Sequence, residues 1–146
     1  MYRLVVGLPV KNEEVNVYKT LKSINEALIY TREKSYRIAV CVNNCTDNTE
    51  YEVRKFMNDN KKANCVLIKS RSGLVNAQRK IVNLFPAKIY VFSDADCIVE
   101  KRSIKLLLDE LYKNKNTIVA YAKTVSFVKL GENTTTAEKI GILYDS

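Results

Sequence analysis

The sequence predicts an α/β protein: a three-layer sandwich with a mainly parallel, twisted sheet and helices on both faces. Three observations carry this. Short apolar runs rich in β-branched residues alternate four times with longer stretches whose apolar residues recur at helical spacing. Successive strands joined through helices require right-handed crossovers, which make the sheet parallel. Hydrophobic residues make up 47% of the 146 positions, enough to bury one sizeable core, so residues 1–146 are expected to form a single domain.

Taken in order, "YRLVVGLPV" reads as a first buried strand. "EEVNVYKTLKSINEALIYTREKS" places Val17, Leu21, Ile24 and Leu28 on one helical face, and the acidic pair Glu13 and Glu14 suits a helix N-terminus. "YRIAVCV" is a second strand. "NNCTDNT" is a turn cluster in which Asp47 and Glu50 are expected to cap the next helix, whose inward residues are Val53, Phe56 and Met57. "NCVLIK" is a third strand, and "SRSG" a loop. The helix that follows carries Leu74, Ala77, Ile81 and Leu84 on one face and ends at Pro86. "KIYVFS" is a fourth strand, and "VEKRSIKLLLDELYKNK" a helix with Ile104, Leu107, Leu108 and Leu111 inward. A fifth strand is expected at "TIVAYAKTVSFV" and a final helix from "TTAEKIGILYDS".

Composition narrows the chemistry. The chain has four cysteines, no C-x-x-C pair and no histidine, so a zinc site is not expected and any general base must be a carboxylate, Lys, Tyr or Cys. Cys41, Cys45, Cys65 and Cys97 are expected to be reduced, with Cys97 the most accessible. The net charge of +8 favours anionic partners, but the lysines form no block of five, and no nucleic-acid partner is expected. No apolar run approaches the roughly 20 residues that span a bilayer, and the N-terminal run is too short for a signal peptide. The expected location is cytoplasmic, with room for peripheral association at the inner face of a membrane. G-x-x-x-x-G-K-[ST] and G-x-G-x-x-G are both absent, which excludes P-loop NTPases and ordinary dinucleotide dehydrogenases.

In a parallel α/β sheet, ligands bind beyond the carboxyl ends of the strands. The loops at that edge are "PVKNEE", "NNCTDNT", "SRSG" and "SDADC". They gather Asn12, Glu13, Asn43, Asn44 and Asp47 with Asp94 and Asp96. Two carboxylates one residue apart repel each other. A hard divalent cation, Mg²⁺ or Mn²⁺, relieves that repulsion and can clamp a diphosphate. Capping of the following loop is the alternative reading of the same pair.

Four motifs in order resemble those of family 2 glycosyltransferases of GT-A fold. The Pro-x-x-Asn-Glu pattern matches Pro9 to Glu14 in "LPVKNEE", and the polar turn after the second strand matches Asn43 to Thr49. The Gly-x-x-x-Ala-x-Arg helix start matches Gly73, Ala77 and Arg79, and the Asp-x-Asp matches Asp94 and Asp96. The resemblance covers roughly residues 3–125. It implies transfer of a sugar from a nucleotide-diphosphate donor, generally with inversion, to a glycan, lipid or protein acceptor. It also implies that the loops bearing Pro9, Asn12, Glu13, Asn43 and Asp47 surround the nucleotide base and that Arg79 lies near the nucleotide. Asp94 would lie near the ribose and metal, and Asp96 would be the main ligand of a divalent cation, Mn²⁺ or Mg²⁺.

The sequence departs from the family in two places. Asn43 and Asn44 stand where an acidic residue is common, which leaves the donor base, uracil or guanine, open. Family members run on well past the Asp-x-Asp, through an acceptor segment with an acidic catalytic base. No residue here matches that base, and the chain reads as the donor-binding portion. Three other readings remain: a degenerate, non-catalytic sugar-nucleotide-binding module, a nucleotidyltransferase of similar fold, and a haloacid-dehalogenase-type phosphatase. The last places its Asp-x-Asp on the first strand, whereas here it follows the fourth.

Overall fold

The computed structural model describes residues 1–71, 73–113, 119, 120 and 122. The elements are β1 (Tyr2–Val10), α1 (Val17–Thr31), β2 (Tyr36–Asn43), α2 (Thr49–Asp59), β3 (Cys65–Ser70), α3 (Leu74–Leu84), β4 (Ala87–Phe92) and α4 (Ser103–Lys113). The strand expected over 117–128, apart from Val119, Ala120 and Ala122, and the helix expected over 135–146 lie outside the described residues. The chain divides into two compact units, Met1–Leu106 and Leu107–Ser146, and everything that follows about the site belongs to the first.

The four strands form one sheet in the order β3-β2-β1-β4, every pair parallel. The expected α/β class with a parallel sheet is therefore observed. Strand order explains the layers. From β1 to β2 to β3 the chain steps in one direction, so right-handed crossovers put α1 and α2 on the same face. From β3 to β4 it reverses across the sheet, so α3 lies on the other. Val5, Ala39 and Cys41 pack with Ala77 and Ile81 of α3. The alternate residues, Leu4, Val6, Leu8 and Val10 of β1 with Ile38, Val40 and Val42 of β2, face the opposite way and are fully or nearly fully buried. Val17, Leu21, Ile24 and Leu28 of α1 and Val53 and Phe56 of α2 are fully buried, and Tyr18 meets Phe56 edge to face at 5.8 Å. Burying each such aliphatic or aromatic side chain is worth about 1.5–3 kcal/mol before conformational entropy is subtracted.

One glycine is fixed by packing. A Cβ on Gly7 would lie 2.5 Å from the Phe92 ring and 3.3 Å from Ile81, so the bare backbone of β1 is what lets β4 lay Phe92 across it. Pairing between β1 and β4 ends at Gly7, before Pro9, which has no N–H to offer a ladder.

Three local expectations are corrected. First, α1 begins at Val17, four residues after Glu13, and the backbone N–H groups of Glu13 and Glu14 are bound by Thr49 and Asp47 of the next loop. Second, only half of the expected cap on α2 forms: Asp47 Oδ1 accepts the N–H of Thr49, the first residue of the helix, at 3.0 Å, whereas Glu50 pairs elsewhere. Asn48 is the N-cap, and Glu50 turns to Arg54 at 2.8 Å and Lys69 at 2.7 Å. Third, Leu74 and Leu84 are 56% and 51% exposed. Only Ala77 and Ile81, in the middle of α3, are buried against the sheet.

Candidate functional site

Parallel pairing places the ends of β1, β2 and β4 at the same edge of the sheet, and the loops that leave them form a polar rim. Two of these loops are laced together. Asn12 and Asn44 both take left-handed backbone conformations, φ 53° and 54°, which asparagine tolerates better than most residues. These turns bring the loops face to face. The Thr46 N–H donates to Asn12 Oδ1 at 2.9 Å, and Asn12 Nδ2 donates to Thr46 Oγ1 at 3.3 Å. The Cys45 thiol reaches the Val10 carbonyl at 3.6 Å. The Glu13 N–H donates to Thr49 Oγ1 at 2.8 Å, the Glu14 N–H to Asp47 Oδ2 at 3.1 Å, and the Asn48 N–H to Glu14 Oε2 at 2.8 Å.

Asp47 is the hinge pin of this lacing. One carboxylate oxygen accepts the Thr49 N–H at 3.0 Å and the Thr49 hydroxyl, while the other reaches across to Glu14. Desolvation pushes its pKa up, but the hydrogen bonds from Thr49 and from the Glu14 backbone outweigh it, and the carboxyl is held below the usual aspartate range. The Asn43 side chain, at the end of β2, is buried, whereas Asn12 and Asn44 are exposed.

The loop after β4 is built differently. Ala95 is buried at 6% exposure, and its carbonyl accepts the buried Thr20 hydroxyl of α1 at 2.8 Å. Three residues along α1, Ser23 Oγ accepts the Val99 N–H at 2.9 Å. Pinning the residue between them turns both flanking side chains, Asp94 and Asp96, into solvent on one side. A carboxylate oxygen from each and the Cys97 sulfur lie within 4.8 Å of one another. The Cys97 thiol contacts Asp96 Oδ1 at 3.6 Å, and burial followed by the Asp96 charge pushes that thiol up. Two convergent, exposed carboxylates with solvent on their open side are a hard-oxygen donor set. They fit Mg²⁺ or Mn²⁺, which keep several waters.

A model of the family described as "Glycosyl transferase family 2" matches residues 5–143. The chain belongs to that family. Solved structures share the fold of this family 2 chain at low identity. A mannosyltransferase from Pyrobaculum calidifontis, in complex with GDP-Man and Mn²⁺, aligns with a TM-score of 0.68 at 21% identity, over 75% of this chain and 32% of its own. S. aureus TarS in complex with UDP-GlcNAc aligns at 0.64 and 19%, over 76% and 31%. Glucosyl-3-phosphoglycerate synthase from Mycobacterium tuberculosis, in complex with UDP, aligns at 0.61 and 21%, over 78% and 41%. The chain thus spans about a third of the length of the first structures it resembles. No curated protein matches it. Among the described residues, no helix is long and apolar enough to cross a membrane.

The structure brings Asn12, Glu13 and Asp47 into one interlocked pair of loops, with Pro9 in β1 and Asn43 at the end of β2 leading into them. Asp94 and Asp96 converge separately in the loop after β4. Arg79 is exposed on α3. Sequence reasoning missed Thr20 and Ser23. The signal was present: both are polar residues on the α1 face otherwise formed by Val17, Leu21, Ile24 and Leu28, and a hydroxyl on a buried stripe needs a partner. The four cysteines are free, as expected. Cys41 is buried, while Cys97 shares an intermediate exposure with Cys45 and Cys65.

Proposed function

We propose that this family 2 chain binds a nucleoside-diphosphate sugar at the rim beyond β1, β2 and β4 and transfers the sugar, with inversion, to a glycan, lipid or protein acceptor. One observation carries the proposal: in a chain of this family, the buried Ala95 forces Asp94 and Asp96 together at the edge where parallel α/β sheets bind ligands. The interlocked loops bearing Pro9, Asn12, Glu13, Asn43 and Asp47 form the wall for the nucleotide base. Asp94 faces the ribose and Asp96 holds the cation, with Arg79 near the nucleotide. A bound Mn²⁺ or Mg²⁺ would offset the negative charge that builds on the departing diphosphate. The protein's part is positioning: Thr20 and Ser23 fix the loop before the donor arrives, so little order is lost on binding. The similar structures, in complex with GDP-Man and Mn²⁺, with UDP-GlcNAc and with UDP, support a nucleotide-sugar donor. The chain is read as the donor-binding portion, and no residue is assigned as catalytic base.

Calorimetric titration of UDP and of GDP, each with Mn²⁺ and with a chelator, tests the donor site. Binding of one nucleotide that needs the cation is expected. Equal affinity with and without the cation would remove the metal from the proposal. Binding without sugar transfer or donor hydrolysis would favour the non-catalytic binding module.

A further inference from the structure

We propose that Asn43 is the residue that reads the donor base, and that its neutral amide lets the site take either pyrimidine, uracil or cytosine, ahead of guanine. This rests on the donor-site reading above and deepens it. Among the described residues, four polar side chains are buried: Thr20, Ser23, Asn43 and Thr49. The Thr20 hydroxyl donates to the Ala95 carbonyl, the Ser23 hydroxyl to the Thr20 carbonyl and the Thr49 hydroxyl to Asp47. Asn43, at 8% exposure, has no side-chain hydrogen bond among the described residues. Neither of its amide atoms is wholly sealed from solvent. Buried amides are rarely left unpaired, so this one is free to meet the polar edge of a ligand. Its place fits that role. It is the last residue of β2, opposite Ser70 of β3, on the sheet face that carries Ala39 and Cys41, and it opens the second of the two interlocked loops.

The other polar groups of these loops are engaged with one another. Asn12 uses its amide on Thr46, accepting at Oδ1 and donating from Nδ2. Both oxygens of Asp47 accept hydrogen bonds, from Thr49 and from the Glu14 N–H. Glu13 Oε2 is held by Asn16 Nδ2, and Glu14 Oε2 by the Asn48 N–H. Guanine presents two adjacent donors, N1–H and its exocyclic amine, which match the two oxygens of one carboxylate. None of these three carboxylates has both oxygens free. An amide offers one acceptor beside one donor, and rotation about its last side-chain bond exchanges them. In one setting Oδ1 accepts uracil N3–H while Nδ2 donates to a ring carbonyl. In the other, Nδ2 donates to cytosine N3 while Oδ1 accepts from the N4 amine. An ionised aspartate at this position could only accept. It would suit uracil N3–H but would set negative charge against the cytosine N3 lone pair. The neutral residue removes that barrier.

Calorimetric titration of UDP, CDP and GDP in the presence of Mn²⁺ tests this. The unmutated protein should bind UDP and CDP within about threefold of each other, and GDP at least about tenfold more weakly. In Asn43→Asp, UDP affinity should hold within about threefold while CDP affinity falls at least about tenfold, because acceptor then meets acceptor. The same change at the exposed neighbour, Asn44→Asp, should leave the ratio of the two where it was. A probe that needs no variant is 3-methyl-UDP, whose N3 carries no hydrogen; it should bind the unmutated protein at least about tenfold more weakly than UDP. A UDP/CDP ratio that Asn43→Asp does not move, or 3-methyl-UDP bound as tightly as UDP, would overturn the role of Asn43 and leave the donor site standing. GDP bound more tightly than both pyrimidine nucleotides would overturn the base preference in the same way. Failure of all three nucleotides to bind would overturn the donor reading itself.

Discussion

Replacing Thr20 by Val tests how the Asp94/Asp96 loop is held. The side chain is fully buried, and its hydroxyl donates to the Ala95 carbonyl at 2.8 Å. Valine keeps the shape, so no cavity opens and the change isolates the hydrogen bond. A buried carbonyl left without a donor costs about 1–3 kcal/mol. The loop has two ways to respond. If it stays docked, the whole cost appears as lost stability. If it lifts so that the carbonyl reaches water, stability recovers, but only a fraction of molecules keep Asp94 and Asp96 converged, and apparent affinity falls by that fraction. The second tether, Val99 N–H to Ser23 Oγ, keeps the outcome between these limits. The expectation for Thr20→Val is a loss of about 1–2 kcal/mol in urea denaturation. Mn²⁺-dependent nucleotide affinity should weaken roughly threefold to tenfold. Thr20→Ser, which keeps the hydroxyl, should retain the affinity. Nucleotide affinity within about twofold of the unmutated protein in Thr20→Val would refute the claim that this hydrogen bond positions the loop.

Four further outcomes are expected. Asp96→Asn should weaken metal-dependent nucleotide binding more than Asp94→Asn, with neither changing the melting temperature, since both side chains are exposed; a sharp drop in melting temperature without ligand would return the pair to a capping role. Asp47→Ala should cost about 1–2 kcal/mol at neutral pH by unlacing the first two loops. Because the folded Asp47 pKa is lowered, its carboxylate contributes fully above the unfolded value and loses that contribution as pH falls through the folded one, so the gap between variant and parent should close in acid; a gap that widened below pH 4 would contradict the assignment. Gly7→Ala should destabilise by about 1–3 kcal/mol through collision with Phe92 and Ile81. That cost should shrink in Gly7→Ala/Phe92→Ala, as measured by a denaturation cycle. A thiol titration of the denatured, unreduced protein should find four free cysteines.

The sheet was legible in the sequence because each strand is a short β-branched run ended by polar residues, and α1 and α2 because their apolar spacing is regular. Helix starts were less legible. Glu13 and Glu14 look like first-turn acids, but their backbone amides are taken by Thr49 and Asp47, some 33–36 residues away, and no local pattern announces that. Leu74 and Leu84 fit the helical stripe, yet α3 meets the sheet only through its middle. The Asp94/Asp96 pair was visible as a motif. Its scaffold was not, because Thr20 and Ser23 act across 75 and 76 residues of chain.

Those separations carry a consequence for the order in which the rim comes together. The lacing between the first two loops joins residues no more than 36 apart and is complete within the first β-α-β-α stretch, so it closes a short loop of chain. The Asp94/Asp96 loop docks on α1 only after β3, α3 and β4 have been added, which closes a loop twice as long and depends on the fourth strand. Assembly is therefore expected in two stages, the laced first two loops first and the Asp94/Asp96 loop last. In refolding followed by pulsed hydrogen exchange, the amides of β1 and β2 should gain protection before that of Val99, and simultaneous protection would argue for a single concerted step.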